Sequence, residues 1–166
     1  MIMTKNDTTQ APQQPPKPDP ELKLLDFLVG TWNLEGEIEA GPTGPAGTVT
    51  SVDTFEWLEG GFFLVHRWET TFSAAGQDTV DKGYEFIGYD APSKKYRTHF
   101  FNSFGPYDEA GSTYEGDFVD DSLILTGPAR ITYKPNVDGT ITNEADLPGG
   151  NSTWIPWMHA KMTRVK

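Results

Sequence analysis

The side chains able to do chemistry in this sequence are few and lie far apart. The three histidines, His66, His99 and His159, stand on separate segments, and none has partners at the spacing of a metal site. There is no cysteine, which excludes disulfides, thiolate nucleophiles and cysteine-based zinc centres. A Gly-x-Ser-x-Gly elbow, a phosphate-binding glycine loop, a dinucleotide fingerprint and a His-Glu-x-x-His pair are all missing. Asp120-Asp121 reads as a hairpin turn, and Asn136-Val137-Asp138-Gly139 lacks the rest of a calcium loop. Two residues stay in view. His66 shares its alternating face with Phe62, Leu64, Trp68 and Phe72, so it is expected to point inward, as a satisfied core histidine or as a polar anchor in an aromatic cavity. Asp53 alternates with Val49, Ser51, Phe55 and Trp57, which makes it a candidate inward carboxylate and a candidate base near a strand end. A slip of one residue would instead leave it in water.

Strands must position these groups. From Thr31 onward the pattern has period two, with Trp32, Leu34, Gly36 and Ile38 on one face against Asn33, Glu35, Glu37 and Glu39 on the other. Comparable segments are expected at 48–58, 62–72, 80–89, 95–104, 112–119, 122–126, 129–134, 139–145 and 157–165, divided by turn sequences such as Glu59-Gly60-Gly61. About ten strands joined by short hairpins, with no helix long enough for a parallel crossover, predict an all-β fold, an antiparallel up-and-down β-barrel. Trp32, Phe55, Trp57, Phe62, Trp68, Tyr84, Phe86, Phe100 and Phe104 all fall on faces assigned inward.

Ahead of the strands, residues 1–19 are rich in proline and glutamine and are expected to form a disordered tail, leaving 20–166 as a single domain. Asp19 can cap a short helix with Pro20 at its first position, Leu22, Leu25 and Leu28 share one face of it, and Gly30 is expected to end it in a left-handed conformation. This helix should lie across one end of the barrel. Closure has its own signature in the last strand, where Met158, Ala160, Met162 and Arg164 share the inner face, opposite Trp157, His159, Lys161 and Thr163. Arg164 then lies on the same side as Trp32. If the first and last strands are neighbours, the guanidinium rests on the indole and closes the barrel floor.

Gly30-Thr31-Trp32 behind a short helix, with an arginine in the final strand, resembles the structural signature of the lipocalin and calycin barrels. More closely, Leu25-Asp26-Phe27-Leu28-Val29-Gly30-Thr31-Trp32, Gly60-Gly61-Phe62-Phe63-Leu64, Ile87-Gly88-Tyr89-Asp90, Phe101-Asn102-Ser103 and Met162-Thr163-Arg164 resemble, in that order, an uncharacterised bacterial family of lipocalin-like domains of unknown function. The resemblance spans 22–165; it implies a β-barrel and no reaction. A more distant similarity, through Gly-Thr-Trp, is to the nitrobindin-type haem barrels, which hold ferric haem through a histidine near the end of the chain. It implies haem as an alternative cofactor, with His159 or His66 as its ligand. Strand parity turns His159 to solvent unless a bulge near Pro156 reverses it, and His99, which shares a face with Arg97 and Phe101, is expected outside.

Composition narrows the partners. A net charge of −11 disfavours nucleic acid and anionic membrane surfaces. No apolar run reaches the length of a membrane span and the N-terminus lacks the order of a secretory signal, so the expected address is the cytoplasm. Aromatic residues make up 13% of the chain, and roughly ten strands enclose more volume than the eight that side chains alone can fill. The expected function is therefore non-catalytic binding of a small, largely apolar molecule inside the barrel, with no metal or other cofactor. Its expected lining is His66, Trp68, Asn102, Phe100, Tyr84, Phe86, Phe55, Trp57 and Met158. Haem binding is the alternative of a different class. A packed barrel serving as a scaffold, or as a homodimeric interaction module, is the third.

Overall fold

The computed structural model describes residues 15–105 and 112–166. Most of the expected tail, and Pro106 of the break after the fifth strand, lie outside the described residues. Ten strands follow one another: β1 (Gly30–Ile38), β2 (Gly47–Trp57), β3 (Leu64–Ala74), β4 (Gln77–Asp90), β5 (Lys95–Asn102), β6 (Thr113–Val119), β7 (Ser122–Thr126), β8 (Arg130–Pro135), β9 (Ile141–Pro148) and β10 (Trp154–Arg164). Each pairs antiparallel with the next, and β10 returns to β1, so the sheet closes as an up-and-down barrel without a free edge. Among the described residues no helix is long and apolar enough to cross a membrane.

One end is plugged. Pro20–Leu28 forms a 3₁₀ helix whose first turn is capped by Asp19, its carboxylate accepting from the Glu21 amide at 3.0 Å. Leu22, Leu25 and Leu28 recur every three residues, the 3₁₀ period, and all three are buried in the core with Trp32, Leu64, Ile87, Tyr96 and Leu123. Tyr96 Oη donates to Glu21 O at 2.7 Å, and Trp57 Nε1 donates to Asp26 Oδ1 at 2.9 Å, tying the plug to β5 and β2.

The two ends of the chain meet as the sequence predicts. Trp32 faces Arg164 in the β1–β10 register, and the Arg164 guanidinium carbon lies 4.2 Å from the centroid of the Trp32 ring. Trp32 Nε1 donates to Leu28 O at 2.7 Å and Arg164 Nη1 donates to Val29 O at 2.6 Å. Gly30 follows the helix C-cap Val29, whose amide donates to Asp26 O, and has a positive φ of +132° as the sequence predicts. It also opens β1 and has a second task there. A Cβ there would stand 2.2 Å from Arg164 Nη1, so the missing side chain is the seat of the guanidinium.

Two strands depart from the expected parity. On β4 the inward residues are Asp81, Gly83, Glu85 and Ile87, so Tyr84 and Phe86 point outward, with Tyr84 50% exposed. The inner face of β4 is polar, and an apolar-in rule selects the opposite one. On β10 the register shifts between Pro156 and Met158. This bulge leaves His159 outside but turns Trp157 inward against Phe72, with ring centroids 5.8 Å apart. Phe62 and Phe104, also expected inside, lie beyond strand ends and are 37% and 56% exposed.

Gly30→Ala should lower the free energy of unfolding by roughly 2–4 kcal/mol, from backbone strain and an unseated arginine. Trp32→Ala should cost about 3–5 kcal/mol through its cavity. Urea denaturation checks both; an unchanged midpoint for Gly30→Ala would refute the glycine seat.

Candidate functional site

Above the plug, β2, β3 and β4 each deliver one buried side chain to a single cluster. Asp53, His66 and Glu85 are 5%, 7% and 6% exposed. His66 Nε2 lies 2.8 Å from Asp53 Oδ1 and Nδ1 lies 3.4 Å from Glu85 Oε2. The ring is held in orientation by Phe55, stacked on it at 4.0 Å with planes 7° apart, and by Trp68, inclined at 5.1 Å. Burial by itself would lower the pKa of His66, but the hydrogen bonds and charges of Asp53 and Glu85 overcome it and raise the pKa to about 9. At neutral pH the ring is therefore an imidazolium donating from both nitrogens. Asp53 Oδ2, also buried, has no hydrogen-bond partner in the protein. Tyr133 borders the cluster; burial, and then the charges of Glu85 and Asp53, push its phenol well above its ordinary value and keep it neutral.

The cluster forms the inner wall of a cavity of about 210 Å³. His66, Trp68, Phe100, Asn102 and Met158 line it, as do Asp53, Trp157 and Tyr133. Phe55 lies beneath His66, Trp57 belongs to the plug, and Tyr84 and Phe86 are outside. The polar lining residues missing from the expected set include Asp81, Glu85, Ser51, Thr70 and Asn143. Asp81 is saturated, its Oδ2 accepting from Trp68 Nε1 at 2.8 Å and Asn102 Nδ2 at 3.3 Å, its Oδ1 from Ser103 Oγ at 3.2 Å. Gly83 makes room for that indole, since a Cβ would stand 2.3 Å from Trp68 Cζ2. The available signal was the alternation of Asp81, Gly83 and Glu85 with Ile87, an apolar anchor of fixed parity.

A larger hollow of about 580 Å³ lies among Val52, Arg67, Tyr84 and Phe101. Val52, Tyr84 and Phe101 are exposed there, and the lumen is where groups are desolvated and interact strongly. Within the lumen the residues do not fit a haem iron. Both His66 nitrogens are engaged by carboxylates. The His159 side chain is 73% exposed, with Nδ1 3.1 Å from Glu144 Oε1, and His99 points outward. Asp53 and Glu85 occupy opposite sides of one ring, and among the described residues no three histidine, aspartate or glutamate side chains are placed to hold a metal ion.

The raised His66 pKa sets the sign of a pH effect. An unfolded imidazole ionises near 6.5 and the folded one near 9, so its contribution is complete below the lower value and lost as pH rises through the higher. Unfolding free energy should fall on the order of 3 kcal/mol between about pH 6 and about pH 9.5, and His66→Gln should flatten that slope. Urea titrations at the two pH values decide; a flat wild-type profile would contradict an imidazolium held between Asp53 and Glu85.

Among solved structures, the barrel is similar to the crystal structure of Rv2717c from M. tuberculosis, with a TM-score of 0.52 and 16% identity over 90% of this chain and 100% of that one. At that identity the likeness concerns the fold alone. No curated protein matches the sequence. Residues 17–164 match the family described as "Protein of unknown function (DUF1579)", nearly the whole length, and the chain belongs to that family.

Proposed function

We propose that the protein binds a small molecule in the barrel lumen without transforming it. The observation that carries this reading is the cavity itself, about 210 Å³ lined by aromatic faces and a few directed polar groups at the mouth of a closed barrel. An engineered apolar cavity of about 150 Å³ accepts benzene, and drug-sized ligands need about 300 Å³ or more. The lumen suits one ring with a short substituent. Aromatic walls from Trp68, Phe72, Phe100 and Trp157 would sandwich the apolar body.

The same groups argue against catalysis. A general base must be unprotonated near the working pH, and His66 is held as an imidazolium. Ser51 and Thr70 hydroxyls bond each other at 2.8 Å rather than to a base that would activate them. Asp81 has its oxygens committed to three donors.

Native mass spectrometry of protein purified from its own host should show a bound mass of single-ring size. Ala145→Phe, which fills the lumen from a position 1% exposed, should lose it. Ser51→Leu replaces that variant if the phenylalanine is not tolerated. Wild-type protein with no bound mass, or a folded filled variant that retains it, overturns the reading.

A further inference from the structure

We infer that the lumen selects its ligand through a protonated amine held on Asp53 Oδ2, a deduction that rests on the lumen-binding reading. Asp53 is 5% exposed and lines the cavity. Its Oδ1 holds His66, and Oδ2 is buried with no protein partner. A buried carboxylate oxygen left without a donor is costly, and a ligand that brings one recovers that cost.

Charge identifies the donor. The described residues lining the cavity include three carboxylates, Asp53, Asp81 and Glu85, one histidine, and neither lysine nor arginine. With His66 protonated, the formal charge of the lumen is −2, three negative groups against one positive. An anionic ligand is repelled there, and a neutral one leaves the excess in place. An ammonium on Oδ2 would set the Asp53 carboxylate between two cations, His66 on one oxygen and the ligand on the other.

The surroundings agree with a cation. Trp68, Phe72, Phe100 and Trp157 line the cavity and present π faces to an alkylammonium and to the ring that carries it. The chain as a whole carries −11, a field that attracts cations toward the barrel and repels anions. Most other polar groups of the lumen are paired: Ser51 with Thr70, Asp81 by three donors, and Asn143 Nδ2 on Thr132 O at 3.2 Å. An exception is Trp157 Nε1, a buried donor without a protein partner, which does not compete for a cation. Among the buried lining atoms the carboxylate oxygen is thus the free acceptor that a cationic head group can take.

Isothermal titration of the full chain at neutral pH with benzylamine, benzyl alcohol and benzoate separates the possibilities, because the three share a ring and differ in head group. Benzylamine should bind at least about tenfold more tightly than benzyl alcohol, with benzoate undetectable. Asp53→Asn keeps an acceptor for His66 and removes the charge; it should bring the amine-to-alcohol ratio within about twofold. Where that variant does not fold, the wild-type ratio decides, together with the same ratio in Glu85→Gln, which should also fall. Equal binding of amine and alcohol overturns the amine inference while leaving lumen binding intact. A folded Asp53→Asn that keeps the full ratio overturns the assignment to Oδ2. Binding of none of the three at millimolar concentration overturns the lumen reading itself.

Discussion

The barrel depends on the contact between Arg164 and Trp32. The two residues are 132 apart in sequence (164 − 32), and their pairing converts a meander into a closed sheet. The contact also ends the helix. Leu28 O and Val29 O lie at its C-terminus, where carbonyls have no partner within the helix. The Trp32 indole takes the first and the Arg164 guanidinium the second. One cation–π pair therefore fastens the plug, β1 and β10 together, and Gly30 supplies the space for it. With that end filled by leucines, any interior space must lie toward the other.

Closure has a further consequence for the interior. In an up-and-down barrel each strand fixes the parity of the next, and one inward row crosses the sheet from Trp32 through Asp53, Trp68 and Gly83 to Asn102. The neighbouring row carries Phe55, His66 and Glu85. A one-residue slip anywhere would expel the row's polar members to solvent and bring surface charges in. The Asp53, His66 and Glu85 cluster is therefore held by the whole hydrogen-bonded sheet and not by a local turn. Well-packed apolar residues in place of a buried ion cluster are commonly neutral or stabilising. A cluster beside a cavity, with one carboxylate oxygen left open, is therefore not accounted for by stability alone.

Much of this was legible in the sequence, and the exceptions have physical causes. The plug follows from the Asp19 cap and the leucine spacing. The strand count, the antiparallel order, the Trp32–Arg164 pairing and the inward parity of His66, Trp68, Phe100 and Asn102 follow from period-two patterning, which left Asp53 open to a slip. That patterning works where one face is apolar. β4 turns Asp81 and Glu85 inward and leaves Tyr84 in water, so the rule inverts. Trp157 escaped because a bulge is a backbone event with no residue signature of its own beyond the neighbouring Pro156. The turn at Gly30 was legible, but the seat it makes for Arg164 was not, because that partner lies in the last strand.

These exceptions change what the interior is. An aromatic-rich barrel suggests an apolar lumen, but the aromatics are divided by position. Phe55 and Trp57 belong to the floor and plug, Tyr84 and Phe86 face outward, and only part of the set surrounds the space. The space is shared by aliphatic residues such as Val49 and Ile131 and by hydrogen-bonding ones, most of the latter paired to protein groups. Paired groups present little to a newcomer, since displacing a hydrogen bond returns only what it removes. Two buried lining groups are left without a protein partner, Asp53 Oδ2 and the Trp157 indole N–H, and under the lumen-binding proposal these are the groups a ligand would meet.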